Sequence, residues 1–118
     1  MKIVVGGQMD KQSIARLVES LVGNKAQVEV KSDIEATMAI QMGQADYYFG
    51  ACSTGAGGAL GIATGQLGMN RCVSVSTPGM TMTQEQINQE VANGKVAFGF
   101  VNYDAEKVVP MLINAILK

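Results

Sequence analysis

The run Cys52-Ser53-Thr54-Gly55-Ala56-Gly57-Gly58 places a thiol, two hydroxyls and four small residues directly after an apolar segment. Small residues let backbone N–H groups approach an anion with no side chain in the way. A helix starting there would aim the positive end of its dipole at the same spot. Ser53 and Thr54 bring hydroxyls that can cap such a helix or donate to a ligand oxygen. A thiol at a helix N-terminus has a depressed pKa, so Cys52 is the chain's one plausible nucleophile or carbon-acid base. The plainer reading is a small apolar residue that finishes a buried strand. Gly6-Gly7 ends the first apolar run in a similar glycine turn, and the two turns together form the candidate anion site. Ser76 and Thr77, with Asn102 and Asp104 as lesser candidates, would line its rim or serve only as turn and cap residues.

For those turns to meet, the chain has to place them at one end of a sheet. Short β-branched runs alternate with amphipathic segments throughout, the pattern of a parallel sheet with helices on its faces. The first strand covers Lys2 to Val5. Asp10 then caps a helix whose inward face is Ile14, Leu17, Val18, Leu21 and Val22, ended by Gly23-Asn24. Ala26 to Lys31 alternates as a second strand. Ser32-Asp33-Ile34-Glu35 has the form of a capping box, opening a helix with Ile34, Met38 and Met42 inward and Gly43 as its stop. Asp46 to Ala51 makes a third strand and Arg71 to Ser76 a fourth, followed by a Thr77-Pro78-Gly79 turn. A second capping box, Thr83 to Gln86, opens a helix using Ile87 and Val91 and ending at Gly94. Lys95 to Val101 is the fifth strand. Asp104 caps a last helix carrying Val108, Val109, Leu112, Ile113, Ile116 and Leu117, in which Pro110 should cause a kink or a late start.

This is a single α/β domain over residues 1–118: a three-layer α/β/α sandwich with a five-stranded parallel sheet, doubly wound in the flavodoxin-like or Rossmann-like manner. In such sheets ligands bind beyond the carboxyl ends of the strands where the strand order reverses, here between the first and third strands. Gly57, Gly61, Gly65 and Gly68 lie three or four apart, a spacing that would also let the following helix closely approach the sheet or a second subunit. Methionines 80 and 82, beside the Pro-Gly turn, offer an apolar contact surface.

Composition narrows the function. The chain has 118 residues, 47% of them hydrophobic, and a formal net charge of -1 with the charges scattered, so it carries no basic stripe for nucleic acid. It has no histidine and no metal-ligand spacing, so neither a metal nor another cofactor is expected. No apolar run reaches the roughly 18 residues that span a bilayer, and the start is too soon broken for a signal peptide. The expected compartment is the cytoplasm. Cys52 and Cys72 fall at opposite ends of successive strands, too far apart for a disulfide.

Asp46-Tyr-Tyr-Phe-Gly-Ala-Cys-Ser-Thr-Gly-Ala-Gly-Gly58, with Gly94-Lys-Val-Ala-Phe-Gly99 and Val109-Pro-Met-Leu-Ile-Asn114, resembles a bacterial family of small glycine-rich cytosolic proteins of uncharacterised function. Some of its relatives are encoded beside transporters and metabolic enzymes, which implies a place in small-molecule metabolism or uptake. Ala51-Cys-Ser-Thr-Gly-Ala-Gly57 is similar to the Cys-Gly-Thr-Gly-x-Gly turn of ribose-5-phosphate isomerase B and its galactose-6-phosphate relatives. That similarity implies Cys52 as a proton-shuttling base and Thr54, Gly55 and Gly57 as an anion hole. The isomerases' early Asp-His/Glu-Ala-Gly motif is replaced here by Gly6-Gly7-Gln8-Met9. Their ring-opening histidine and C-terminal arginines have no counterpart. The leading expectation is therefore a homo-oligomer, most simply a dimer, that binds a small anionic or phosphorylated metabolite through Gly6, Gly7, Cys52, Ser53, Thr54, Gly55, Ala56, Gly57, Gly58, Ser76 and Thr77. The alternatives are an isomerase or epimerase using Cys52 and Thr54, and a structural or interaction subunit.

Overall fold

The computed structural model describes residues 1–7, 9–53 and 58–117. In chain order the elements are β1 (Lys2–Gly7), α1 (Lys11–Val22), β2 (Gln27–Val30), α2 (Asp33–Gln41), β3 (Tyr47–Cys52), α3 (Gly58–Leu67), β4 (Cys72–Ser74), β5 (Ser76–Thr77), β6 (Met80–Thr81), α4 (Gln84–Ala92), β7 (Ala97–Val101) and α5 (Ala105–Ile116). Five strands form one parallel sheet in the order β2-β1-β3-β7-β4. The strand alternation fixes the layers. Ile3 and Val5, Phe49 and Ala51, and Phe98 and Phe100 pack with the buried residues of α1 and α5 and with Ile87 of α4. Val4, Tyr48 and Ala97 pack on the other side with Ala36, Ala39 and Ile40 of α2 and Leu60 and Ala63 of α3.

The α/β/α class is the one the sequence predicts, with one edge rearranged. The last strand, β7, lies between β3 and β4, whereas a flavodoxin order would put it outside β4. The predicted strand Arg71 to Ser76 is also divided. A 3₁₀ turn takes Met69–Arg71, only Cys72–Ser74 pair with β7, and Ser76–Thr77 leave the sheet to form an antiparallel hairpin with Met80–Thr81.

Both capping boxes form, on Ser32 with Glu35 and on Thr83 with Gln86. The inward face of α2 differs from the prediction. Ala36, Thr37, Ala39 and Ile40 are buried, while Ile34, Met38 and Met42 are 55%, 45% and 62% exposed. Small residues face the sheet because α2 also packs beside α3, leaving no room for the longer side chains. Leu21 of α1 is likewise exposed at 40%, and Ala15 takes its place inside. In α5, Pro110 neither delays nor ends the helix, which begins at Ala105 and runs to Ile116. The carbonyl that loses its partner belongs to exposed Glu106, four residues earlier, where water can take the bond. Asp10 and Asp104 occupy cap positions without capping through their side chains.

Glycine is required most sharply where β1 meets β3. Gly7 has φ +92°, and a Cβ there would lie 2.5 Å from both the nitrogen and the oxygen of Ala51. Nothing lies within 4 Å of a Cβ at Gly61 or Gly65, so the spacing on α3 does not serve approach to the sheet. Gly7→Ala should therefore destabilise the fold by about 3 kcal/mol, combining a left-handed conformation with a backbone collision. Urea unfolding at neutral pH measures this, and a loss below about 1 kcal/mol would show that β1 and β3 can separate there without cost.

Candidate functional site at the carboxyl ends of the central strands

Register brings the two predicted turns together. Gly6 pairs with Gly50 and Gly7 with Ala51, so the end of β1 lies against the end of β3, where Cys52 is buried and Ser53 exposed. Gly58 opens α3, while Gln8, Thr54, Gly55, Ala56 and Gly57 lie outside the described residues. Cys52 pairs with Val101 at the end of β7, whereas Cys72 pairs with Ala97 at that strand's beginning. The two thiols are thus at opposite ends of the sheet, and neither is in a disulfide. Burial pushes the Cys72 thiol up, which keeps it protonated and unreactive.

Gly50 pairs not only with Gly6 but also with Gly99, and Gly99 pairs with Ser74. Alternation puts this row on the face of the sheet that carries Val4, Tyr48 and Ala97, the face toward α2 and α3. Three adjacent strands thus present a strip without side chains one or two residues before the ends of the strands. Tyr48 uses part of it: a Cβ on Gly6 would lie 2.9 Å from its ring.

The Tyr48 hydroxyl donates to Asp33 Oδ1 at 3.1 Å, and the Gly7 N–H donates to the same oxygen. Asp33 is the first residue of α2, and it reaches across the end of β2 to the end of β1. Sequence reading assigned Asp33 only to the capping motif, yet the cap is made by Ser32 and Glu35, and the Asp33 carboxylate is committed to β1 and β3. A signal was present: an acid immediately after a strand of a parallel sheet lies at the ligand-binding edge. The Gly7 N–H, expected as a donor to an anion, is thereby occupied by a carboxylate.

The rim residues are tied into the fold. Ser76 is 2% exposed, and its hydroxyl accepts the N–H of Val101 at 2.8 Å, fastening the hairpin to β7. Ser74 donates to the Ser76 carbonyl at 3.1 Å. Thr77 is half-buried and borders a hollow of about 160 Å³ shared with Ser74, Ser76, Met80, Met82 and Gln86. Met82 packs against the core, while Met80 is 74% exposed. Asn102 donates to Asp10 Oδ2 at 3.3 Å, joining the end of β7 to the start of α1. Asp10 is there in a left-handed conformation, φ 56°, that few residues besides glycine, asparagine and aspartate adopt.

Tyr48 is 1% exposed, and its phenol is pushed far above the ordinary value near 10, first by burial and then by the charge of Asp33 and its hydrogen bond to it. Cys52 is near enough for its thiolate charge to add to the shift. Above about pH 10 the unfolded chain releases this proton and the folded chain keeps it, so stability should fall as pH rises. One such phenol contributes a slope of up to about 1.4 kcal/mol per pH unit. Urea unfolding from pH 8 to 11 should show the decline. Tyr48→Phe should make the decline shallower, leaving the parts that come from Tyr47, whose phenol is raised by burial and by Asp46, and from Cys72, whose thiol is raised by burial. An unchanged slope in Tyr48→Phe would mean that Tyr48 ionises freely.

Comparison with known proteins places the chain by its fold and by its sequence family. Three solved structures share the fold: ribose-5-phosphate isomerase B from Giardia lamblia (TM-score 0.73, 16% identity, 100% of this chain and 94% of the other), the type B ribose 5-phosphate isomerase from Trypanosoma cruzi (0.75, 10%, 98% and 84%) and ribose-5-phosphate isomerase B from Clostridium thermocellum (0.64, 16%, 100% and 84%). At these identities the likeness is one of fold. In sequence, the chain is 41% identical over 113 residues to the uncharacterized protein YhfU of Escherichia coli K12 and, to the same extent, to that of Shigella flexneri, covering 96% of each chain in both cases. Residues 1–116 match the model of the protein family of unknown function DUF2620, and the chain belongs to that family.

Proposed function

We propose that this chain binds a small anionic metabolite of the sugar-phosphate class at the turn following Cys52, acting in the cytoplasm as an accessory to metabolism or uptake. One observation carries the reading. Cys52 and the start of α3 stand at the carboxyl end of β3, beside β1, in a fold shared along its length with three ribose-5-phosphate isomerases of type B. In open parallel sheets this is where ligands bind. Cys52, Ser53, Thr54, Gly55, Ala56, Gly57 and Gly58 remain the proposed anion-binding set. Ser76 contributes through the position of β7, because its hydroxyl is already engaged.

At a concentration about 100 times its Kd, a ligand of the right class stabilises the native state by about 2.7 kcal/mol. Ribose 5-phosphate or a related sugar phosphate should then raise the melting temperature by about 5 °C or more. The same panel is run on Cys52→Ser with substrate α-proton exchange followed in deuterated water. Binding without exchange in either protein supports a binding module. Exchange that disappears in Cys52→Ser identifies an isomerase or epimerase with Cys52 as base. No stabilisation by any phosphorylated sugar, carboxylate or nucleotide would sink the proposal.

The proposal extends to a homodimer through α2 and α3. Ile34, Met38 and Met42 form an exposed apolar stripe on α2, Gly61 and Gly65 of the neighbouring α3 open onto free space, and α3 has no charged residue. A second copy related by a two-fold axis would cover this apolar stripe with its own, and α3 brings no charge into the contact. Light scattering should give twice the chain mass of 12.4 kDa, and Met38→Lys or Gly61→Leu should return the protein to a monomer. A wild-type mass of one chain would overturn this.

A further inference from the structure

We propose that the hollow between the beginnings of α1 and α5 binds a small organic ammonium ion with an apolar body. This ligand differs in charge and in place from the one proposed for the turn after Cys52.

The two helices lie side by side on the face of the sheet opposite α2 and α3. Between their first turns is a hollow of about 350 Å³, lined by Asp10, Ser13, Ile14, Leu17, Ala105 and Glu106. That is the size of a small-molecule site. Ile14, Leu17 and Ala105 give it an apolar floor, and the charged residues of the lining are both acids. The spacing of Asp10, Ile14 and Leu17, four and then three residues, puts a carboxylate and two apolar side chains on one face of α1.

The acids here do not serve the helices in the usual way. An aspartate at an N-cap ordinarily accepts a first-turn N–H. Asp10 and Asp104, the N-caps of α1 and α5, make no such bond. Asp10 is turned instead to Asn102, which donates to its Oδ2 at 3.3 Å, and it holds a left-handed conformation while doing so. Its Oδ1 accepts from no described residue, and Glu106 has neither an ion pair nor a side-chain hydrogen bond with one. The neighbouring cations stand outside the lining. Glu35 has its carboxyl lowered first by hydrogen bonds from Ser32 and then by the charges of Lys31 and Lys11, so Lys11 acts toward α2. Arg16 is exposed and donates to Ser13 Oγ at 3.5 Å, and Lys107 is exposed beside Glu106.

This chemistry selects the occupant. Carboxylates accept hydrogen bonds and attract positive charge, so they suit an N–H-bearing cation. The partial positive charge at the two helix starts keeps them ionised and offsets only part of their charge. Among the described residues no three acids come together as metal ligands, whereas an ammonium ion needs only one or two acceptors and its hydrocarbon body covers the floor. Ile14 and Leu17 span a single helical turn of about 5 Å, which matches a small free ligand better than a segment of a partner protein.

Hexylammonium is the probe, with hexanol and hexanoate as controls of equal chain length, and the methyl resonances of Ile14, Leu17 and Ala105 are the readout. Hexylammonium should shift these methyls saturably at millimolar concentration or below. One charge pair at about 4 Å in a water-exposed site is worth about fivefold in affinity, so hexanol should bind about fivefold more weakly and hexanoate more weakly still. Asp10→Asn, a residue that also adopts the left-handed conformation, and Glu106→Gln should each weaken hexylammonium by about fivefold and leave hexanol unchanged. Equal affinity for the amine and the alcohol would reduce the hollow to an apolar surface and overturn the proposal. So would methyls that stay unmoved by hexylammonium in the wild type. An apolar peptide carrying one lysine that binds at least tenfold more tightly than hexylammonium would make a partner protein the occupant, and the assignment to a free amine would fall.

Discussion

The close apposition of β1 and β3 at their carboxyl ends is the constraint on which the rest of the site depends. No side chain fits at Gly7, because the Ala51 backbone occupies the space where a Cβ would be. With the strands that close, the Gly7 N–H, the Tyr48 hydroxyl and the Asp33 carboxylate converge on a single oxygen, linking three parts of the chain well separated in sequence. A carboxylate that accepts two hydrogen bonds where β1, β3 and α2 meet is costly to leave unpartnered, which fixes the tilt of α2 against the sheet. The same contact keeps the Tyr48 ring over Gly6, on the face of the sheet where alternation also places Cys52.

Much of the architecture is legible because local signals agree with one another. Short apolar runs such as Ile3-Val4-Val5 and Phe98-Gly99-Phe100, capping boxes at Ser32 and Thr83, and apolar faces at helical spacing all give the same answer, and the structure follows them. The disagreements arise where distant partners decide. Ile34, Met38 and Met42 recur at helical spacing and would make a core face for an isolated helix. Once α3 packs beside α2, however, the space over the sheet admits only Ala36, Ala39 and Ile40. The place of β7 inside β4 is equally invisible to periodicity, because both strands are short apolar runs.

The candidate site was legible in part for a related reason. Cys52 and the two glycine turns stand out in the sequence because each carries its signal within a few consecutive residues, although residues 54–57 of the second turn lie outside the described residues. The glycine row could not, since Gly6, Gly50 and Gly99 come from three separate strands and become a feature only in register. Asp33 was hidden by a competing local explanation, as an acid in the first turn of a helix is ordinary, and only the tertiary contact shows it turned toward β1. Ser76 illustrates the reverse case. A serine at the end of a strand looks available to a ligand, but the path of the chain into the β5–β6 hairpin buries it, and its hydroxyl accepts the Val101 N–H.

These contacts divide the labour along the sheet edge. At β7 the side chains of Ser76 and Asn102 are committed to Val101 and to Asp10, so this part of the rim is a fixed wall whose polar groups are already engaged. At β1 and β2 the charge is negative and one carboxylate oxygen is unclaimed among the described residues. A helix N-terminus, α3, follows β3 and supplies positive potential. A ligand anionic at both ends would set one charge against the carboxylate. That electrostatic restriction is one the fold alone would not impose.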